Sequence, residues 1–93
     1  MYWLLLYDYV DGMAERRAPF RDDHLALARD AEAAGTLLAA GALVDPLDGA
    51  VLVFRADDPS AVEEFARNDP YVREGLVTRW QVRRWTVAVG GWT

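Results

Sequence analysis

The chain opens on a strand-like run. Tyr2 to Val10 is dense in aromatic and branched side chains. At the two-residue period of a strand, Tyr2, Leu4 and Leu6 fall on one side and Trp3, Leu5, Tyr7 and Tyr9 on the other. A strand apolar on both faces is covered on both faces. Asp11-Gly12 ends it. Pro19 then suits the first turn of a helix. From Phe20 to Ala34 the period lengthens, and Phe20, His24, Leu27, Ala28, Ala31 and Ala34 share one helical face. Gly35 fits the position just past that helix. Leu37 to Val44 and Ala50 to Ala56 return to strand character on either side of Asp45-Pro-Leu-Asp-Gly49, which predicts a hairpin.

A second helix starts near Asp58-Pro59 or Ser60. Ser60-Ala-Val-Glu63 fits a capping box, and the inner face reads Ala61, Val62, Phe65 and Ala66. Asn68-Asp69-Pro70 breaks that helix, and a short turn from Pro70 to Glu74 closes at Gly75. Thr78 to Val89 reads as the last strand. Its alternation slips between Val82 and Trp85, which suggests a bulge near Arg83-Arg84. Residues 88–93 read as a loose tail, with Trp92 after Gly90-Gly91. The order is βαββαβ, the split βαβ or ferredoxin-like arrangement of the α+β class: a four-stranded antiparallel sheet with two helices on one face. Two helices cover only one face, so the two-sided first strand predicts other cover for the helix-free face.

At 93 residues the chain is one domain, with 53% hydrophobic and 27% charged residues. It has no cysteine and a single histidine. That excludes disulfides, thiolate metal sites and a multi-histidine metal site within one chain. No metal or cofactor is expected. The net charge of −5 argues against a nucleic-acid binder and against a binder of anionic membranes. Every base is Arg, which reflects genome composition more than function. The first apolar run is short and meets Asp8 at once, so neither a signal peptide nor a spanning helix is expected and a cytoplasmic protein is the default. Glycine-rich dinucleotide loops, Walker loops and the Gly-x-Ser-x-Gly elbow are absent.

The chemistry-bearing candidates each have two readings. His24 sits near the start of helix one on its apolar face. It is either a general base, for which a neutral imidazole in a semi-apolar pocket is suited, or a core or rim histidine with one hydrogen bond. Asp69 either orients His24 or caps the turn that Pro70 begins. The two roles are compatible only if one oxygen remains free. Arg17 and Arg21 either hold a carboxylate or phenolate oxygen or form a solvated pair near Glu15, Asp22 and Asp23. Tyr7, Tyr9 and Tyr71 either line a pocket or pack.

Several of these residues fall into motifs. Arg17-x-x-x-Arg21-x-x-His24-Leu25, Ala40-Gly41, Asp69-Pro70-Tyr71 with Gly75-Leu76, and Val82-x-x-Trp85 resemble the YciI-like (YCII-related) family in order and spacing. Ala42 and Arg84 stand where that family usually has proline, which bears on substrate identity and not on fold. The resemblance spans roughly residues 2 to 87. It implies a dimeric α–β barrel, in which two sheets pack face to face as a homodimer and supply the missing cover. It also implies a pocket in each subunit with His24 and Asp69 as the catalytic dyad and a small molecule as ligand. A characterised relative removes chloride from a chlorinated hydroxyquinol, and muconolactone isomerase is a more distant one. With the residue readings above, the expected activity is acid/base chemistry of isomerase, lyase or dehydrochlorinase type on an aromatic or lactone-like compound, with Arg17, Arg21, Tyr7 and Tyr71 as candidate substrate contacts. The alternative is a non-enzymatic ligand-binding or accessory domain. An oxygenase holding haem through His24 has nothing else behind it.

Overall fold

Four strands pair into one antiparallel sheet in the structure, a computed structural model that describes residues 1–92. The strands are β1 (Tyr2–Tyr9), β2 (Leu37–Leu43), β3 (Gly49–Arg55) and β4 (Val77–Trp85), in spatial order β2-β3-β1-β4. Helices α1 (Met13–Arg16), α2 (Arg21–Ala33), α3 (Ser60–Asn68) and α4 (Pro70–Arg73) fill the connections, with a 3-10 turn over Ala18–Phe20. This is the ferredoxin-like α+β arrangement.

Register decides which side chains face the helices. Leu5 pairs with Leu52 and Val82, and Tyr7 with Ala50 and Trp80. These positions point to the helix side and join Phe54, Ala28, Val62, Phe65 and Ala66 in the core. The intervening positions, Leu4, Leu6, Val51 and Val53, point to the side that no helix covers. Val53 is only 8% exposed yet lies outside the helix-side core, because its strand neighbours flank it. Gly49 lets the sheet close at its end: a Cβ there would come within 2.5 Å of the Tyr7 carbonyl oxygen.

Several sequence expectations need correction. Residues 13–16, where the pattern predicts no element, form a helix too short for periodicity to reveal, anchored by the buried Met13. Helix α3 is not capped by Ser60. Pro59 stands at its N-cap without a side-chain cap, and Asp58, one residue earlier, accepts from the Ser60 amide at 2.8 Å. Ala61 is exposed and leaves the inner face to Val62, Phe65 and Ala66. The last strand ends at Trp85 because its partner β1 begins at Tyr2, the residue opposite. Pairing is regular through Arg83 and Arg84. Trp85 breaks the alternation by lying on the helix-free side with Tyr2, so no bulge is needed there. The register shift falls instead at Thr78, between the pairs Asp8–Arg79 and Tyr9–Val77.

The tail is also not loose where it is described. The Trp92 carbonyl accepts from the Tyr2 hydroxyl at 2.8 Å and from Arg55 at 2.9 Å, and its ring packs against Tyr2 and Trp85. It occupies one end of the helix-free face. Thr93 lies outside the described residues. No helix among the described residues is long and apolar enough to cross a membrane.

Candidate active site

Asp69 is where two local demands meet. It ends α3 and begins α4, with an extended backbone (φ −69°, ψ 123°) that turns the chain between them. Pro70 supplies the fixed φ of a first helical position. The Asp69 side chain then caps α4 by accepting from the Tyr71 amide at 3.0 Å. This carboxylate is completely buried. A buried charge needs compensating donors, and two side chains far away in sequence provide them. The Tyr7 hydroxyl, from the middle of the sheet, donates to Oδ2 at 2.7 Å. His24 Nδ1, from the first turn of α2, lies 2.8 Å from Oδ1 and 3.0 Å from Oδ2.

Those bonds set the imidazole against an acceptor. A carboxylate only accepts, so His24 Nδ1 carries the hydrogen and Nε2 is left as the basic nitrogen. Nε2 has no protein partner among the described residues. Burial, then the Asp69 charge beside it, holds the Tyr7 hydroxyl far above the usual phenol range, so it stays a donor. Capping α4 and orienting His24, rival roles for Asp69 in the sequence, coexist: Oδ1 serves the cap and the imidazole together, and Oδ2 takes Tyr7.

The His24 ring is clamped as well as bonded. Tyr71 stacks on it with centroids 3.9 Å apart and planes 9° from parallel. Tyr9 meets Tyr71 edge-on at 6.3 Å. Burial, followed by the nearby Tyr71 and Asp69, pushes the Tyr9 hydroxyl up to about 12, against the pull of Arg17 and Arg21.

Beside this assembly is a cavity of about 180 Å³ between α2 and the β2–β3 hairpin. His24, Tyr71, Tyr9, Arg17 and Arg21 form its polar wall. Leu25, Ala28, Ala40, Gly41, Ala42, Ala50 and Leu52 form the apolar remainder. Small residues on the hairpin line this space: Ala40, Gly41 and Ala42 on β2, with Ala42 paired to Ala50 on β3. Arg17 and Arg21 form no ion pair among the described residues, with Glu15, Asp22 or Asp23 or with any other acid.

Of the residues singled out from the sequence, His24, Arg17, Arg21 and Tyr71 share this cavity. Tyr7 does not line it; Tyr7 lies behind Asp69, 2% exposed. Tyr9 does line it, although the sequence alone does not separate it from a packing residue. Spacing carries no signal for the Tyr7–Asp69 bond, which joins residues 62 positions apart. The small wall is visible in the sequence only as Ala40-Gly41 within the motif.

The chain belongs to the YCII-related family, whose domain model matches residues 1–86. Its fold is shared by a 5-chloro-2-hydroxyhydroquinone dehydrochlorinase from Burkholderia phenoliruptrix AC1100, solved in complex with 2,5-dihydroxybenzoquinone. That likeness has a TM-score of 0.80 at 23% identity and covers 92% of this chain and 94% of the other. No functionally curated protein matches the chain.

Proposed function

We propose that this protein is a small-molecule enzyme in which His24 Nε2 is the general acid/base. The observation that carries the reading is the orientation of His24 by a buried carboxylate that is itself fixed by Tyr7 and the Tyr71 amide. A structural histidine needs one hydrogen bond. This one is bonded through Nδ1, stacked on Tyr71, and lines an open cavity with Nε2 free. Nε2 takes a proton from an acidic C–H or O–H of the ligand, and Asp69 stabilises the imidazolium so formed. Returned at a different atom, that proton completes an isomerisation. Alternatively, the electron pair left behind forms a π bond as a leaving group departs, which is an elimination. A base placed this way contributes roughly 10²–10⁴-fold. A cavity of about 180 Å³ suits one substituted ring, since about 150 Å³ already holds benzene. The dehydrochlorinase that shares the fold is named for an aromatic substrate of that size class.

The protein works as a homodimer in this reading, closed through the helix-free face. Leu4, Leu6, Val51 and Val53 give that face an apolar centre with no helix over it.

The test works without an identified product. Single-ring hydroxylated, halogenated and lactone compounds are incubated with the protein in D2O, and deuterium uptake at carbon is read by NMR. Uptake or turnover should fall by roughly 10²-fold or more in His24→Asn, with fold and dimer retained. Saturable binding without exchange, unchanged in His24→Asn, would instead establish a binding module.

A further inference from the structure

Tyr71 carries a buried hydroxyl that the described residues leave without a hydrogen bond of normal geometry. The residue is 1% exposed, and its oxygen is without a hydrogen-bond partner among the described residues. Buried hydroxyls are satisfied in native proteins with few exceptions, and each exception calls for a reason. Packing alone would be served by phenylalanine, since the stack on His24 involves only the ring. Arg21 comes close enough to favour the phenolate without bonding the oxygen in normal geometry, and Arg17 pulls the same way. Burial outweighs both and keeps the group protonated, hence a donor.

The rest of the cavity points to what that donor meets. The chain carries a net charge of −5, yet the cavity wall holds two arginines and no Asp or Glu. Asp69 does not line it. Apart from His24 Nε2, every polar side chain there can donate: the two guanidiniums, which only donate, and the hydroxyls of Tyr9 and Tyr71. A ligand that satisfies such a wall presents an acceptor oxygen bearing negative charge.

We propose that Tyr71 is a specificity residue of this cavity: its hydroxyl donates to an anionic oxygen on a single-ring ligand, flanked by Arg17 and Arg21, and thereby selects ring anions over neutral rings of the same shape. This rests on reading the His24 cavity as the functional site. It extends that reading by separating recognition from proton transfer: Tyr71 and the arginines hold the oxygen while His24 handles the proton.

The experiment compares 4-nitrophenolate with nitrobenzene, which has the same ring and nitro group but no hydroxyl oxygen. Binding to the wild-type protein and to Tyr71→Phe is measured by calorimetry. The wild type should bind the phenolate at least about 10-fold more tightly than nitrobenzene. Tyr71→Phe should weaken phenolate binding by about 10- to 100-fold, the range for losing a hydrogen bond to a charged group. Nitrobenzene affinity should stay within about 2-fold, since the phenyl ring preserves the packing surface. Equal weakening of both compounds, no weakening of either, or no binding of 4-nitrophenolate to the wild type would each overturn the proposal. The readout is equilibrium binding, so a protein that never turns over a substrate still tests it. Conversely, an active enzyme whose phenolate affinity ignores Tyr71→Phe sinks this inference and leaves the role of His24 intact.

Discussion

Two buried tyrosines on the same side of the sheet should respond to the same substitution with opposite signs. Tyr7 and Tyr71 are 2% and 1% exposed, and both rings are packed in the core. Replacement by phenylalanine keeps each ring and removes one hydroxyl. At Tyr7 that hydroxyl is the 2.7 Å donor to Oδ2 of a fully buried carboxylate. Without it, Oδ2 keeps only the 3.0 Å approach of His24 Nδ1, which Oδ1 already shares at 2.8 Å. A hydrogen bond to a charged group contributes about 1.5–3 kcal/mol, so Tyr7→Phe should cost about that much. For a domain of this size each kcal/mol moves the melting temperature by roughly 4–8 °C, which predicts a fall of about 6 °C or more. At Tyr71 the hydroxyl is bonded to nothing among the described residues. Removing an unsatisfied buried hydroxyl relieves a desolvation penalty of about 1–3 kcal/mol, so ligand-free Tyr71→Phe should be as stable as the wild type or more stable.

Urea and thermal unfolding at one fixed protein concentration measure both, since the proposed dimer would make stability depend on concentration. Alkaline pH adds a second readout. Burial raises the Tyr7 hydroxyl far above its ordinary range and Tyr9 to about 12. A raised pKa of this kind contributes stability that is complete below the unfolded-state value of about 10 and is lost as pH climbs above it. The wild type should therefore lose stability steeply above about pH 10, and Tyr7→Phe less steeply. Equal loss of stability in the two variants at neutral pH would refute the reasoning. It would mean that the bond to Asp69 contributes no more than an unpaired hydroxyl.

Other outcomes follow from the same geometry. Asp69→Asn keeps an oxygen for the Tyr71 amide, so α4 should stay capped, but a neutral amide stabilises imidazolium poorly, and turnover of an identified substrate should drop by roughly 10²-fold or more. Unchanged turnover in a folded variant would remove Asp69 from the mechanism. Leu6→Glu puts a carboxylate at the centre of the helix-free face without touching the cavity. Light scattering should then report a mass near the 10.4 kDa of one chain where the wild type gives a dimer, and a wild type that is itself monomeric would refute the closed sheet face.

Fold and site are legible in the sequence to different degrees, for physical reasons that particular residues expose. Period-two and period-3.6 runs are local signals, and they locate each strand and both long helices to within a few residues. What they miss is what depends on a partner. The last strand runs on in sequence as Thr86-Val87-Ala88-Val89, but the structure stops pairing at Trp85 because β1 supplies nothing beyond Tyr2. Trp92 looks loose after two glycines, and docks only because Tyr2 and Arg55 lie where its carbonyl arrives. His24 and Asp69 carry recognisable local contexts: an apolar helix face, and a carboxylate before proline. Tyr7 carries none. Its ring reads as core, its hydroxyl adds nothing to the strand pattern, and its acceptor lies across the fold.

That asymmetry bears on how a site of this kind is built. Asp69 would be an unfavourable residue to bury alone, and α4 gives it only one donor, the Tyr71 amide. The remaining compensation comes from His24 and Tyr7, on α2 and β1. The carboxylate is therefore tolerated only when helix, sheet and loop have already assembled. The same bonds hold His24 through Nδ1 at the cavity wall and leave Nε2 free. Tyr71 completes the arrangement from the opposite direction. Its amide is satisfied by Asp69, its ring by His24, and its hydroxyl by nothing among the described residues. Beside the cavity, His24 Nε2 and the Tyr71 hydroxyl are left without a hydrogen-bond partner among the described residues. In the proposed mechanism the first takes a proton and the second gives a hydrogen bond.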